Sequence, residues 1–229
     1  MANVLELPMR RRAKFADRDE AGLLLAEQLA GMDLAAPLVL ALPRGGVPVA
    51  AQIARRLDAP LDVAFVRKLG APGEPELAIG AVGDGDPPEI VLNALLVEER
   101  GVSTEFITSA AARELAALEQ RRRDYADVRP GVAPSGRTVI VVDDGVATGM
   151  TMQAALRSVR RQNPARLLVA VPVASRDALA MLRQEADDLI CLGAPRRFGS
   201  VGSFYDVFGQ VSDADVAMLL KDAAARCRS

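Results

Sequence analysis

Residues 139–151 read VIVVDDGVATGMT. Four apolar residues lead into two adjacent carboxylates, Asp143 and Asp144, followed by a loop with glycines at 145 and 149 and hydroxyls at 148 and 151. A buried strand passing through such a loop into a helix gathers backbone N–H groups and the positive end of the helix dipole at one spot, which suits a phosphate. Glycine lets the backbone approach an anion closely and adopt positive φ. Thr148 and Thr151 add hydroxyl donors. The two aspartates can accept hydrogen bonds from a diol or, through water, approach a cation. No Gly-Lys-Ser/Thr closes the loop, so it is not a nucleoside-triphosphate cradle, and no G-x-G-x-x-G supports a dinucleotide.

Four further segments bear on the same chemistry. Pro43-Arg44-Gly45-Gly46 also joins an apolar run to a helical one. In a parallel sheet both loops lie at carboxyl ends of strands, where α/β folds bind ligands. Arg67-Lys68 closes a second apolar run, and Lys68 is notable because arginine outnumbers lysine 25 to 3. The Gly/Pro loop Gly70 to Glu76 follows it and has the composition of a mobile lid. Phe198, Phe204, Tyr205 and Phe208 place half of the eight aromatics within eleven residues. They offer rings for stacking on a flat acceptor, or else form a small satellite core under the tail.

The elements that must position these groups follow from periodicity. Helices are expected at Arg18–Ala30, Val47–Leu57, Thr104–Ala126, 150–162, Arg176–Glu185 and Asp213–Ala225. Short apolar strands are expected at Pro37–Leu42, Leu61–Val66, Leu77–Val82, Ile90–Leu92, Thr138–Val142, Leu167–Val173 and Leu189–Leu192. Residues 1–18 read as a polar, irregular arm carrying Arg10, Arg11, Arg12 and Lys14. Strands alternating with helices give an α/β fold, a mainly parallel twisted sheet flanked by helices. One domain is expected over 1–229, with a core at about 36–193, a hood from about 1–18 and 194–211, and a closing helix at about 213–225.

Composition removes whole classes. The 229 residues are 50% hydrophobic and 25% charged with net charge −2, which excludes global disorder and a basic nucleic-acid coat. There is no histidine, so His-based triads and His-ligated zinc are excluded. Two cysteines cannot form a tetrathiolate site and fit a reducing cytoplasm. The longest uncharged run is twelve residues, between Asp144 and Arg157, too short to span a membrane. MANVLELPMRRR lacks an apolar core after a basic head, so it is not read as a secretory signal. The arm is too short and isolated for a DNA-binding helix-turn-helix.

The segment at 139–151 closely resembles the phosphoribosyl-diphosphate (PRPP) motif of type I phosphoribosyltransferases. PRGGVPVAAQIA, ELAIGAV, VAVPVAS and FGSVGSFYDVFGQVSDADV extend the resemblance, over most of residues 15–225, to a bacterial subgroup of that family whose acceptor is not established. The resemblance implies that Asp143 and Asp144 bind the ribose hydroxyls and that Ala147, Thr148, Gly149, Met150 and Thr151 bind the 5′-phosphate. It assigns Arg44, Gly45, Gly46, Arg67 and Lys68 to the pyrophosphate, with Mg²⁺ carried on PRPP and near Asp143 and Asp144. Asp143, Asp144, Lys68 and Arg44 would then carry catalysis, and Phe198, Phe204 and Tyr205 would line the acceptor site. The implied reaction moves a 5-phosphoribosyl group to a nitrogen acceptor and releases pyrophosphate. No lysine follows the strand at 167–173, a departure from the purine-specific pattern. The alternative is a non-catalytic PRPP or nucleotide sensor on the same fold. Neither nucleic acid nor membrane is an expected partner, and a homodimer is left open.

Overall fold

The computed structural model describes residues 3–6, 14–85, 87–126, 128 and 131–226. Arginines 10–12 of the arm lie outside the described residues. The main sheet contains β1 (Asn3–Glu6), β2 (Leu38–Ala41), β3 (Leu61–Val63), β7 (Thr138–Val142), β8 (Arg166–Val173) and β9 (Asp188–Gly193). Its order is β1-β9-β8-β7-β2-β3, and every pairing is parallel. A second, antiparallel sheet has the order β4-β5-β6, from Val66–Ala71, Glu74–Gly83 and Glu89–Leu92.

The helices are α1 (Arg18–Ala30), α2 (Gly46–Leu57), α3 (Ala94–Glu99), α4 (Thr104–Ala126), α5 (Met150–Arg160), α6 (Arg176–Leu182) and α7 (Asp213–Arg226). The parallel strands are apolar on both faces, and period-two alternation deals their side chains to two cores. Val39, Ala41, Ile140, Val142, Leu168 and Ile190 pack with α1, α2 and α7. Leu38, Leu40, Val139, Val141, Leu167, Val169 and Leu189 pack with α5 and α6. A third cluster joins Leu69, Ala71, Ile79 and Val82 of the antiparallel sheet to Ala110 and Ala111 of α4.

β1 lies in a segment whose sequence reads as irregular, and α3 was not expected either. β1 pairs only with β9, from Asn3 opposite Asp188 to Glu6 opposite Cys191. An edge strand of four residues carries too short a pattern to declare itself. Among the described residues no helix is long and apolar enough to cross a membrane.

The chain order fixes where a ligand crevice falls. From β2 the chain moves outward to β3, whereas from β7 it moves the other way through β8 to β9. β2 and β7 are adjacent and in register, Leu38 opposite Val139 and Ala41 opposite Val142. Their carboxyl ends therefore flank the point where strand order reverses, the position at which open α/β sheets bind ligands.

Candidate functional site

β7 holds the site rigidly. Val139, Ile140, Val141 and Val142 are fully buried, and at about 1.5–3 kcal/mol for each such side chain the strand is firmly anchored. It delivers Asp143, half-buried, and Asp144, buried at 9% exposure, to the switch point. The Asp144 N–H donates to Asp143 Oδ1 at 2.8 Å, closing the turn. The Tyr205 hydroxyl donates to the Asp144 carbonyl at 2.5 Å. Arg18, first residue of α1, donates from Nε to Asp144 Oδ2 at 2.8 Å, with Nη2 at the same distance.

Burial pushes the Asp143 carboxyl well above the usual carboxylate range, and the neighbouring Asp144 charge pushes it further. Burial also raises Asp144, opposed by the hydrogen bond and charge of Arg18.

The loop Pro43-Arg44-Gly45-Gly46 lies directly against this turn. The Leu42 N–H donates to the Val142 carbonyl at 2.8 Å, and the Pro43–Arg44 peptide is cis. A Cβ on Gly45 would fall 2.0 Å from Asp144 Oδ2, and one on Gly46 would fall 2.7 Å from the Val142 carbonyl oxygen. The glycines are there because two loops occupy one place. Gly45 has ordinary helical φ of −61°, so its requirement is space rather than backbone freedom.

Beyond the acids the chain is tied to the next strand. Val146 N–H donates to the Val173 carbonyl at 2.9 Å, and Ser175 Oγ to the Ala147 carbonyl at 2.6 Å. Gly149 at φ +81° then turns the chain into α5. Ala147 and Thr148 are exposed, Thr151 is half-buried, and Gly149 and Met150 are buried. The first-turn amides of α5, which helix geometry leaves without intrahelical acceptors, complete a cradle suited to a phosphate.

Arg44 Nη1 lies 3.4 Å from Asp213 Oδ2 at the start of α7. The other oxygen of Asp213 accepts the Tyr125 hydroxyl at 2.9 Å, and burial with this bond pushes the Tyr125 phenol up to about 12. Arg44 is thus held by an exposed partner that an anion can displace. Asp213→Asn should tighten pyrophosphate binding about three- to fivefold, the ceiling for an exposed pair worth less than about 1 kcal/mol; calorimetry with pyrophosphate reads it, and weaker binding would contradict it.

Arg67 and Lys68 do not end a parallel strand, which corrects the sequence expectation. β3 stops at Val63, and Ala64 and Phe65 carry the chain out of the main sheet. Both residues lie inside β4, with Arg67 opposite Val82 and Lys68 opposite Ala81 of β5. Adjacent strand residues face opposite ways, so Lys68 needs a wet face, which an antiparallel sheet supplies and a buried parallel one does not, while Arg67 needs a partner of opposite charge. Arg67 shares the Leu69 face toward α4 and is ion-paired with Glu114. Lys68 is on the opposite face and exposed.

The segment Gly70–Glu76, expected as an open loop serving as a lid, is folded as a hairpin. Gly70 and Ala71 belong to β4, Ala71 pairs with Glu74, and the turn between them is only Pro72-Gly73, with Gly73 at φ +74°. This is the closed end of a hairpin, and Arg100 Nη1 binds Glu74 Oε1 at 2.8 Å beside it.

The tail aromatics divide. Tyr205 is 3% exposed, its ring between Phe15 at 5.5 Å and Phe208 at 5.1 Å. It belongs to the main core on the α1, α2 and α7 side of the sheet, not to a satellite one, and steadies the acidic turn, so its expected acceptor-stacking role is corrected. Phe198 and Phe204 are half-buried with ring centroids 5.2 Å apart.

Arg18, Tyr125 and Asp213 were missed by sequence reasoning. Only Arg18 left a signal: it opens a helix whose N-cap Asp17 and first-turn Asp19 and Glu20 are acidic, where the dipole disfavours a cation. The 580 Å³ cavity lined by Leu40, Phe65, Arg122, Tyr125 and Ser158 includes none of the loop residues.

Among the described residues no group of three or more carboxylate, thiolate or imidazole side chains is placed to cage a metal. Two carboxylates beside a phosphate cradle do fit Mg²⁺, which is commonly bound through one or two carboxylates, water and substrate phosphates.

A family model described as phosphoribosyl transferase domain matches residues 21–198. Two Mycobacterium tuberculosis proteins, both named "Putative phosphoribosyl transferase", are 40% identical over 209 residues, 91% of this chain and 47% of theirs. The chain thus spans about half the length of these curated relatives. The crystal structure of TT1426 from Thermus thermophilus superposes with a TM-score of 0.77 at 48% identity, covering 91% of this chain and 98% of that one.

Proposed function

The chain belongs to the phosphoribosyl transferase domain family, and on that premise we propose that it transfers the 5-phosphoribosyl group of PRPP to a nitrogen acceptor with release of pyrophosphate. One observation carries this reading. The Arg44-Gly45-Gly46 loop abuts the Asp143-Asp144 turn so closely that a Cβ at Gly45 would overlap Asp144. An arginine fork, an acid pair and a helix-capping loop then lie side by side, matching diphosphate, ribose diol and 5′-phosphate in turn.

The 5′-phosphate sits on the amides at 147–151 and the hydroxyls of Thr148 and Thr151. The acid turn receives the ribose hydroxyls, with the more exposed Asp143 as the principal acceptor and Asp144 beside it. The bond from the anomeric carbon to diphosphate breaks, positive charge grows on the sugar ring and negative charge on the leaving group, and the acceptor nitrogen closes on the carbon, its proton passing to the released pyrophosphate or to water. Arg44 stabilises the departing charge, an electrostatic rather than covalent contribution, and Lys68, on the exposed face of β4, is assigned the same task from the sequence resemblance alone. Asp143 and Asp144 are the residues that would lie beside a PRPP-borne Mg²⁺, which would supply charge neutralisation at the leaving group. With no histidine in the chain, an acceptor bearing its own acidic N–H needs no strong general base. Phe198 and Phe204 are the ring surfaces assigned to it.

Calorimetry with PRPP and Mg²⁺ should give one site per chain, displaced by pyrophosphate and by ribose 5-phosphate. A mass-spectrometric screen with bases and cell extract should then yield a PRPP-dependent product. No binding sinks the proposal, whereas binding with no product from any acceptor turns it into the sensor. Lys68→Ala should slow single-turnover pyrophosphate release about tenfold with little change in PRPP affinity, because only interactions that strengthen in the transition state speed the chemical step. A loss of affinity at unchanged rate would make Lys68 a binding residue.

A further inference from the structure

We propose that Arg18 is a positioning residue that divides the work of the two acids, fastening Asp144 to the 204–209 strap and leaving Asp143 to grip the sugar. The sugar half of this inference rests on the PRPP reading above; the fastening half does not.

Every nitrogen of the Arg18 guanidinium is committed. Nε and Nη2 are both 2.8 Å from Asp144 Oδ2, and Nη1 donates to the Gly209 carbonyl at 2.7 Å. The Phe208 ring lies 3.9 Å below the guanidinium carbon. The two charged side chains are 11% and 12% exposed. A planar fork that also stacks on a ring is a task for arginine and not for lysine.

A second tie runs in parallel, since Tyr205 packs on Phe208 and gives its hydroxyl to the Asp144 carbonyl. The strap is also knitted to the segment before α1: Asp206 N–H donates to the Phe15 carbonyl at 2.8 Å and Val207 N–H to the Ala16 carbonyl at 2.9 Å. The strap, the start of α1 and the second acid therefore form one connected unit.

One of the two carboxylate oxygens of Asp144 is committed, which leaves Oδ1 alone for a ligand. Its Oδ2 lies between the Arg18 fork and the Gly45 backbone. Asp143 is the more exposed acid, and among the described residues no ion pair of the kind Asp144 makes with Arg18 is seen at it. With Asp144 and Arg18 neutralising one another, Asp143 is the net charge presented to a sugar ring that turns positive.

The test combines PRPP affinity by calorimetry with hydrogen exchange at the Asp206 and Val207 amides. Arg18→Gln should speed exchange at both amides and weaken PRPP about tenfold. Adding Asp144→Asn to it should cost less than about twofold more, because the two residues act as one unit, whereas adding Asp143→Asn should cost at least about tenfold more. Arg18→Lys keeps the charge without the fork, so it should restore part of the affinity and little of the amide protection; it also serves if Arg18→Gln fails to fold. Unchanged exchange at the strap, or effects of Arg18→Gln and Asp144→Asn that multiply independently, would overturn the proposal. If the wild type binds no PRPP, the sugar reading falls by itself. Exchange in Arg18→Gln and Asp144→Asn then decides the fastening, faster supporting it and unchanged overturning it.

Discussion

Asp143→Asn is expected to lower PRPP-dependent turnover by about a hundredfold or more, the scale on which one group aimed at transition-state charge acts, while raising thermal stability at neutral pH. The asparagine keeps an oxygen for the Asp144 N–H, which Asp143 Oδ1 now accepts at 2.8 Å. What it removes is a carboxylate that burial and the adjacent Asp144 make costly to ionise. The folded chain holds the Asp143 proton more tightly than the unfolded chain, whose ordinary value is 3.8. The contribution of this group to stability is therefore full below that value and is lost as pH rises through the higher folded value. The Tm advantage of the variant should be nil at the acid end, grow through that window and level off above it. Pyrophosphate release and melting curves across pH read the two effects. Unchanged turnover would make Asp143 a bystander, and a lower Tm at neutral pH would show that its carboxylate supports the fold.

The acid pair and the loop after it were legible because each depends on local chemistry. An apolar β-branched run, two carboxylates and a glycine loop can be read within thirteen residues, and the boundaries of α1 and α4 likewise follow from their own periodicity. What was not legible depends on partners far away in the chain. Leu61 to Val66 reads as one strand because nothing in those six residues says that β3 pairs with β2 while Val66 pairs with Gly83. That single misreading moved Arg67 and Lys68 to a sheet edge they do not occupy and made a hairpin end look like an open loop. Arg18 meets Asp144 across 126 positions, and Tyr125 meets Asp213 across 88. No spacing rule spans such distances. Tyr205 was noticed for its ring, but its hydroxyl bond to Asp144 and the Phe15 and Phe208 contacts set its role.

Gly45→Ala and Gly46→Ala should separate the two demands made on the second loop. Both add one methyl group, and both positions are crowded, but by different things. At Gly46 the new carbon meets backbone, 2.7 Å from the Val142 carbonyl oxygen and 2.9 Å from Asp143 Cα. Backbone in the middle of a parallel sheet cannot step aside cheaply, so Gly46→Ala should cost about 1–3 kcal/mol of stability, the usual range for overpacking. At Gly45 the new carbon meets only the carboxylate of Asp144, 2.0 Å from Oδ2 and 2.7 Å from Cγ. That side chain can turn away, but only by leaving the guanidinium of Arg18. The strain is thereby moved from the fold to the site. Gly45→Ala should weaken PRPP more than about tenfold, the equivalent of some 1.4 kcal/mol, with a smaller fall in Tm than Gly46→Ala. Calorimetry and thermal melts on the pair distinguish the cases. Wild-type PRPP affinity in Gly45→Ala would mean that the close approach of the arginine loop to the acid turn is not what binds the ligand.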